Sequence, residues 1–285
     1  MRHATDKKKN TFGLLLRVYS QNVDDIPKRI KMVENAISAA GPFVSRIDVL
    51  VWADKEYIDS DCGSTTSVLR ARFRGNKLVH ISEVKNGDLF CSVLNYGIAL
   101  QTKNAVDYTI VASPEAFSYM TPSTMNNITQ AAKDGALAIG VAINELTNSI
   151  LEGRIANTFA AWHNLSLLTV GGFDLLAAKP KVPEMGEHVM GWSKENDKKV
   201  FYPLAGVEEV IPLARLVETF GKCIATILPS GDGVQKYETP EVSTEAYERH
   251  VRKIATKFRR QIIHLSKINT NPELLTGGIL PGYPK

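Results

Sequence analysis

Residues 12–19, Phe12-Gly-Leu-Leu-Leu-Arg-Val-Tyr19, form a short and nearly continuous apolar run. A run without alternation of apolar and polar residues is typical of a strand buried on both faces of a parallel sheet. Pro27 suits the first turn of a helix, and Gly41-Pro42 is a stop signal, so a helix is predicted over residues 27–40. A buried strand followed directly by a helix indicates an alternating α/β chain.

The alternation continues to residue 143. Further strands are predicted over residues 46–53, 78–82, 108–111 and 136–143, and helices over residues 64–73, 88–102 and 122–135. This pattern predicts an α/β fold, with a mostly parallel sheet flanked by helices on both faces. Right-handed crossovers place the carboxyl ends of the strands at one edge, where ligands bind in open sheets. We therefore expect the functional site in the loops at that edge.

The second half of the chain is less regular. Its predicted elements are a helix over residues 155–162, a long flexible loop over 179–204, a helix over 207–220, a strand over 223–228 and a basic helix over 244–267. Long loops in compact domains are often functional, so the loop belongs among the candidate site segments.

The composition indicates a globular protein and excludes several classes. Hydrophobic residues make up 44% of the 285 residues and charged residues 22%, which is ordinary for a chain that buries a core. The formal net charge of +4 is too mild to favour nucleic-acid binding. The 3 cysteines form no CxxC spacing, so neither a disulfide framework nor a zinc site is expected, and a cytoplasmic location fits best. No apolar run is long enough to cross a bilayer.

The predicted C-terminal helix is basic on one face. Residues 249–267 contain Arg and Lys but no acid, and Val251, Ile254 and Phe258 lie on an apolar stripe. The preferred interpretation is a helix packed on the domain with a solvated basic face. The alternative is peripheral contact with an anionic inner membrane surface or with a polyanionic acceptor.

Several short segments share their order with a known family. They are the loop Tyr19-Ser-Gln-Asn22, Asp54 after the second strand, Asn86-Gly87 with Asn95-Tyr-Gly-Ile98, residues 170–174 (VGGFD), and residues 207–216 (VEEVIPLARL) followed by Gly221. In this order they resemble the family-2-like glycosyltransferases of the GT-A fold, over about residues 12–229. The resemblance implies a Rossmann-like GT-A sheet with a C-terminal helix, and a nucleotide-diphosphate sugar as the small-molecule donor.

The resemblance also implies which residues bind the two substrates. The donor would contact Tyr19, Asp54, Asn86, Gly87, Ser113 and Glu115, with Asp54 on the nucleotide base. A glycan, lipid or protein acceptor would face Gly171, Gly172, Phe173, Asp174 and Trp192. Two of these assignments have a purely structural alternative, because Asp54 also suits a turn cap and Asn86-Gly87 also suits the turn before a helix.

Glycosyl transfer needs a base that takes the proton from the acceptor hydroxyl. In inverting members of the resembling family this base is the second acid of a Glu-Asp pair, a place that Glu209 occupies here, with Glu208 as the first acid. The alternative is structural, since acids are favoured at the amino end of a helix by the helix dipole.

The family's Asp-x-Asp motif, which holds Mg²⁺ or Mn²⁺ on the donor diphosphate, is absent. After the fourth strand the chain continues Val111-Ala-Ser-Pro-Glu-Ala116, so Glu115 is the one candidate metal ligand there. A single carboxylate beside a proline is a poor site for a hard dication. Metal binding is lost, or the ligands come from elsewhere, or the chain does not catalyse transfer.

These observations leave competing hypotheses and a division of the chain. The first hypothesis is an inverting, metal-independent glycosyltransferase, and the alternative is a catalytically inactive GT-A-like protein that binds a sugar, a nucleotide or a protein partner. A nucleotidyltransferase is a third option. It is disfavoured because no Gly-rich signature loop follows the first strand. The predicted parts are a disordered basic tail (1–10), a nucleotide-binding subdomain (11–112), an acceptor subdomain (113–229), and a linker with the basic helix (230–285).

Overall fold

The computed structural model describes most of the first two thirds of the chain and parts of the remainder. The described residues are 10–20, 24, 26–53, 63–84, 90–119, 121–141, 155, 159–174, 192–195, 198–201, 208–227, 265–266, 269–270 and 272–283.

The helices and strands alternate up to β5, close to the predicted positions. In chain order they are β1 (Phe12–Ser20), α1 (Ile26–Ala40), β2 (Arg46–Ala53), α2 (Gly63–Arg72), β3 (Val79–Glu83), α3 (Phe90–Lys103), β4 (Tyr108–Ala112), α4 (Pro122–Lys133), β5 (Ala138–Val141), β6 (Phe159–His163), α5 (Asn164–Thr169), β7 (Trp192–Glu195), β8 (Lys198–Phe201), α6 (Val210–Phe220), β9 (Ile224–Ile227) and α7 (Pro272–Gly277). Short 3₁₀ helices cover Gly41–Phe43 and Pro114–Tyr119.

Seven of the strands form one sheet in the order β3-β2-β1-β4-β6-β5-β9. The β1 strand is central and parallel to both neighbours, β2 and β4. The β6 strand runs antiparallel to β4 and β5, and β9 is parallel to β5. The predicted α/β class with a mostly parallel sheet is confirmed, and this arrangement is consistent with a GT-A, Rossmann-like fold. The sheet takes strands from both sides of residue 112, and the proposed subdomain division stays a prediction.

The apolar run of β1 is buried on both faces because helices cover both sides of the sheet. Leu14, Leu16 and Val18 pack in one core with α1 and α4. Leu15 packs in a second core with α3, α5 and α6. Successive side chains of a strand point to opposite faces, so Arg17 lies on the same face as Leu15.

The helix predicted over residues 155–162 is wrong. Residues 159–163 are the antiparallel strand β6, with Thr109 and Ala138 both in register with Trp162. Its apolar residues are fully buried, because β6 is an interior strand with a hydrophobic core on each face. Periodicity alone cannot distinguish a short buried strand from a buried helix. Here pairing with β4 and β5 makes the segment a strand.

Two further segments of the second half contain helices or strands that the sequence did not predict. Within the predicted flexible loop 179–204, β7 and β8 pair as an antiparallel hairpin, with Trp192 opposite Phe201. Near the C-terminus the chain forms α7, and Ile279 then bridges to Ile224 on the edge strand β9. Most of the predicted basic helix 244–267 and the tail 1–10 lie outside the described residues. Within the described part of the chain no helix is long and apolar enough to span a membrane.

The amino edge of the sheet is closed by a buried polar network. Asp48 on β2 accepts two hydrogen bonds from Arg46, at 2.7 and 2.8 Å, and one from Gln101 at 3.1 Å. Gln101 on α3 also accepts a hydrogen bond from Thr109 at 3.2 Å. A Cβ atom on Gly13 would stand 1.8 Å from the Gln101 side-chain oxygen, so glycine is needed there. These polar groups bond to one another and stabilise the fold.

His163 links the end of β6 to α5 and makes stability depend on pH. Its Nδ1 accepts a 3.4 Å hydrogen bond from the Ser166 backbone N–H, which requires the neutral ring. Burial lowers the pKa of His163, and nearby Asp107 partly opposes this. Since the folded pKa is below the ordinary value of about 6.5, the stabilisation is complete above that pH and is lost as the pH falls towards the folded pKa.

We expect His163→Asn to remove this dependence, because asparagine caps a helix without titrating. Thermal unfolding followed from about pH 7.5 to about pH 5.5 should show a steeper loss of Tm for the wild type than for the variant. Parallel curves for the two proteins would contradict the assignment.

Candidate active site

The carboxyl ends of the central strands form the edge where a ligand is expected. In the register of β1 and β2, Tyr19 lies beside Trp52 and Ser20 beside Ala53, and Leu16 lies beside Ala112 on β4. The 3₁₀ helix Pro114–Tyr119 begins immediately after β4, with the Ser113 carbonyl accepting a 3.0 Å bond from the Ala116 N–H. Ser113 and Glu115 therefore lie at this edge, as predicted.

The Gly-Gly-Phe-Asp segment forms a tight turn that α3 holds in place. Gly171 and Gly172 have φ values of 97° and 70°, in the left-handed region that glycine tolerates. The Asn95 side chain accepts a hydrogen bond from the Phe173 N–H and donates one to the Phe173 carbonyl, both at 2.8 Å. A Cβ on Gly172 would come within 2.5 Å of the Asn95 side-chain oxygen, so the close approach itself requires glycine.

Phe173 belongs to the core. Its ring packs edge-on against Trp162 with the centroids 5.1 Å apart, and both side chains are buried. Phe173 therefore anchors the turn from the core side, and the acceptor contact proposed for this residue stays a prediction. Trp162 is likewise a core residue.

Asp174 ends the turn and is held near Arg215 of α6. The Arg215 Nη2 lies 3.6 Å from the Asp174 Oδ2, and its Nη1 donates a 3.2 Å bond to the Val170 carbonyl. The Asp174 carboxylate is 19% exposed. The turn is thus connected to α6 at both of its ends.

Glu208 and Glu209 precede α6 and are buried, with 2% and 1% of their surface exposed. Glu209 occupies the N-cap position, but its side chain makes no capping hydrogen bond. Capping therefore does not explain why a carboxylate is buried there. Burying a carboxylate is costly unless other groups compensate, so such residues are candidates for function.

Cys91, near the amino end of α3, is a buried thiol that these charged residues influence. Its thiol donates a 3.3 Å hydrogen bond to the Asp174 carbonyl. Burial raises the pKa of the Cys91 thiol, the negative charges of Glu208, Glu209 and Asp174 raise it further, and Arg17 acts in the opposite direction. The thiol is therefore neutral, and it lies within electrostatic range of three carboxylates and one guanidinium. We call Asp174, Glu208 and Glu209 the acidic cluster.

Glu115, the candidate metal ligand, forms an ion pair with Arg29 of α1. The two side chains are 32% and 29% exposed. In the described part of the chain no group of three His, Cys, Asp or Glu side chains is placed to hold a metal ion.

Several predicted site residues lie outside the described residues. They are Asp54, Asn86 and Gly87, together with the side chains of Tyr19 and Trp192.

Sequence reasoning did not single out Arg17, Arg29 and Cys91, which interact with predicted site residues. Arg17 had a usable signal, since it is the one charged residue in the apolar run of β1. Arg29 and Cys91 had none, because each acquires its role only from partners that are distant in the chain.

The chain has only distant similarities to known proteins. No protein-family model and no curated protein matches the chain. Among solved structures, glucosyl-3-phosphoglycerate synthase of M. tuberculosis aligns with a TM-score of 0.45 and 12% identity, over 88% of this chain and 80% of that one. A cytidylyltransferase of Leptospira borgpetersenii aligns with a TM-score of 0.42 and 11% identity, over 93% and 97%. The synthase in complex with Mn²⁺, UDP and phosphoglyceric acid aligns at 0.39 and 10% identity, over 87% and 78%. Similarity at this level carries no argument about activity, and the fold class rests on the strand order.

Proposed function

We propose that the chain is a GT-A-type glycosyltransferase, family-2-like and inverting, which moves a sugar from a nucleoside-diphosphate sugar to an acceptor hydroxyl. The observation that carries the proposal is the acidic cluster. Three carboxylates from two distant segments, residues 174 and 208–209, lie within electrostatic range of the buried Cys91 thiol, as does the guanidinium of Arg17 on the central strand. The core packing of α3 and α6 holds them there, in a sheet whose strand order is consistent with GT-A.

The cluster suits transfer by a single displacement. Glu209 takes the proton from the acceptor hydroxyl as that oxygen attacks the anomeric carbon, and the bond to the nucleoside diphosphate breaks on the opposite side. Asp174 accepts a hydrogen bond from a sugar hydroxyl. Glu208, the first acid of the pair, precedes Glu209 in the chain and is buried with it.

The donor lies across the carboxyl ends of β1, β2 and β4. In this proposal Asp54 binds the nucleotide base, while Tyr19, Asn86-Gly87 and Ser113 contact the ribose and the diphosphate. Hydrogen-bond donors and cations that are in position before the reaction stabilise the negative charge of the leaving diphosphate without having to reorganise.

The proposal is tested by incubating the protein with a panel of sugar nucleotides and measuring release of the nucleoside diphosphate. Water replaces the acceptor in this assay, so slow hydrolysis of one donor is the expected result. Calorimetric titration with the same panel, with and without Mn²⁺, accompanies it. Binding of a sugar nucleotide with no release of its nucleoside diphosphate in any of these conditions would favour the inactive binding protein. Release of pyrophosphate from a nucleoside triphosphate would favour a nucleotidyltransferase. No binding at all would overturn the proposal.

A further inference from the structure

The resembling glycosyltransferases imply a divalent ion directly after the fourth strand, and the residues at that place do not fit one. Mg²⁺ is usually held by one or two carboxylates together with phosphates and waters. Glu115 is the single acid of this segment, and its Oε1 already accepts a bond from the Arg29 guanidinium. A dication at Glu115 would lie next to that fixed positive charge and would be repelled by it.

We infer that Arg29 supplies the positive charge for the donor diphosphate, and that donor binding does not require a metal ion. The inference rests on the proposed function and concerns the same donor site. Its chemical content is that a guanidinium, oriented by Glu115, binds the phosphate oxygens of a nucleoside diphosphate.

The position of the pair supports this role. Arg29 lies in the early part of α1, which starts at Ile26, shortly after β1 ends at Ser20. Glu115 lies in the 3₁₀ helix that follows β4, and α1 packs against that helix. Because β1 and β4 are adjacent and parallel, the pair lies at the carboxyl edge between two central strands. Ligands of open α/β sheets bind at this edge.

The geometry leaves the guanidinium able to bind a phosphate. Arginine carries five N–H donors in a planar fork, and the bond to Glu115 engages the Nη1 group. Both side chains retain close to a third of their exposure, so a ligand can reach them. Glu115 fixes the arginine before the ligand arrives, and this reduces the side-chain freedom that binding would otherwise remove.

A second ion pair of α1 provides a matched control. Glu34 pairs with Arg72 of α2, and this pair is farther along α1 from its amino end. Replacing Glu34 or Arg72 with glutamine removes one charge of an ion pair, as the changes at Arg29 and Glu115 do, but at a place that the inference does not use.

If a metal ion at Glu115 bound the diphosphate, Glu115 would be essential for binding, whereas binding through the guanidinium makes Arg29 essential. These two possibilities predict opposite effects of single substitutions. UDP, GDP, ADP and CDP are each titrated into the protein in EDTA and then in Mn²⁺, and the nucleotide that binds wild type is used for the variants. We expect that nucleotide to bind with a similar Kd in both buffers. Arg29→Gln should weaken binding in EDTA about tenfold or more, because a charge-assisted bond to phosphate is lost. Arg29→Lys should lose less, and Glu115→Gln should weaken binding less than Arg29→Gln does, because it loosens the guanidinium without removing it.

Arg72→Gln and Glu34→Gln should bind like the wild type, and thermal melts should show that all variants are folded. The inference is overturned if wild type binds the nucleotide only with Mn²⁺, if Glu115→Gln abolishes binding, or if Arg29→Gln binds as well as wild type. Each of these results leaves the proposed function standing. Failure of the wild type to bind any of the four diphosphates in either buffer overturns both.

Discussion

Replacing Glu209 with glutamine is expected to lower kcat for release of the nucleoside diphosphate by about 10²–10⁴-fold, while nucleotide binding is kept. Glutamine has the size of glutamate but cannot take a proton from the acceptor. Glu209 is 1% exposed, so an isosteric change is the one least able to disturb the packing before α6. The measurement is the initial rate with the best donor of the panel, together with its Kd from calorimetry.

Glu218→Gln is the control for this change. Glu218 belongs to α6 and is exposed, so its replacement removes the same charge from the same helix without touching the acidic cluster. The control should turn over like the wild type. An unchanged kcat in Glu209→Gln would assign the base elsewhere, whereas equal losses in both variants would indicate a general effect of charge.

Replacing Asn95 with alanine is expected to destabilise the protein by about 2–4 kcal/mol, because two backbone groups of Phe173 lose their partners. The Asn95 amide bonds both the N–H and the carbonyl of Phe173 at 2.8 Å, and it links α3 to the turn together with the Cys91 thiol, which bonds the Asp174 carbonyl. Loosening the turn also frees Asp174, so activity should fall in the protein that remains folded. Urea unfolding measures the first effect, and turnover below the transition measures the second.

Two variants control the Asn95 prediction. Asn95→Asp keeps an acceptor for the Phe173 N–H but places an oxygen against the Phe173 carbonyl, so an intermediate loss of stability is expected. Tyr96→Ala changes the exposed neighbour on α3 and should have little effect. If the unfolding curves show Tyr96→Ala to be less stable than Asn95→Ala, the turn is not held by the Asn95 amide.

The sequence predicts the first half of the fold well because local signals and the tertiary structure agree there. The run of β1 is apolar on both faces since helices cover both faces, and Pro122 begins α4 where a helix start is expected. Disagreement begins at β6. Its buried Phe-Ala-Ala-Trp run is compatible with either a helix or an interior strand, and only pairing with β4 and β5 selects the strand.

The candidate site is predictable in part. Glu208, Glu209 and Asp174 carry family-like patterns, and all three lie within electrostatic range of the Cys91 thiol. The Arg29–Glu115 pair and the Asn95 amide join residues whose chain separations are 86 and 78. No local pattern encodes contacts of that range, so they emerge only when the sheet brings the segments together.

Hydrogen–deuterium exchange with the bound nucleoside diphosphate tests the central claim most directly, since it reports where on the sheet the ligand lies. We predict slower exchange in peptides covering the 3₁₀ helix Pro114–Tyr119, the start of α1 and the turn at residues 171–174, all near the carboxyl edge or the acidic cluster. Peptides covering residues 73–78 and 104–107, which precede β3 and β4 at the amino edge, should be unchanged. Protection confined to the amino edge, or absent from the whole carboxyl edge, would contradict the account.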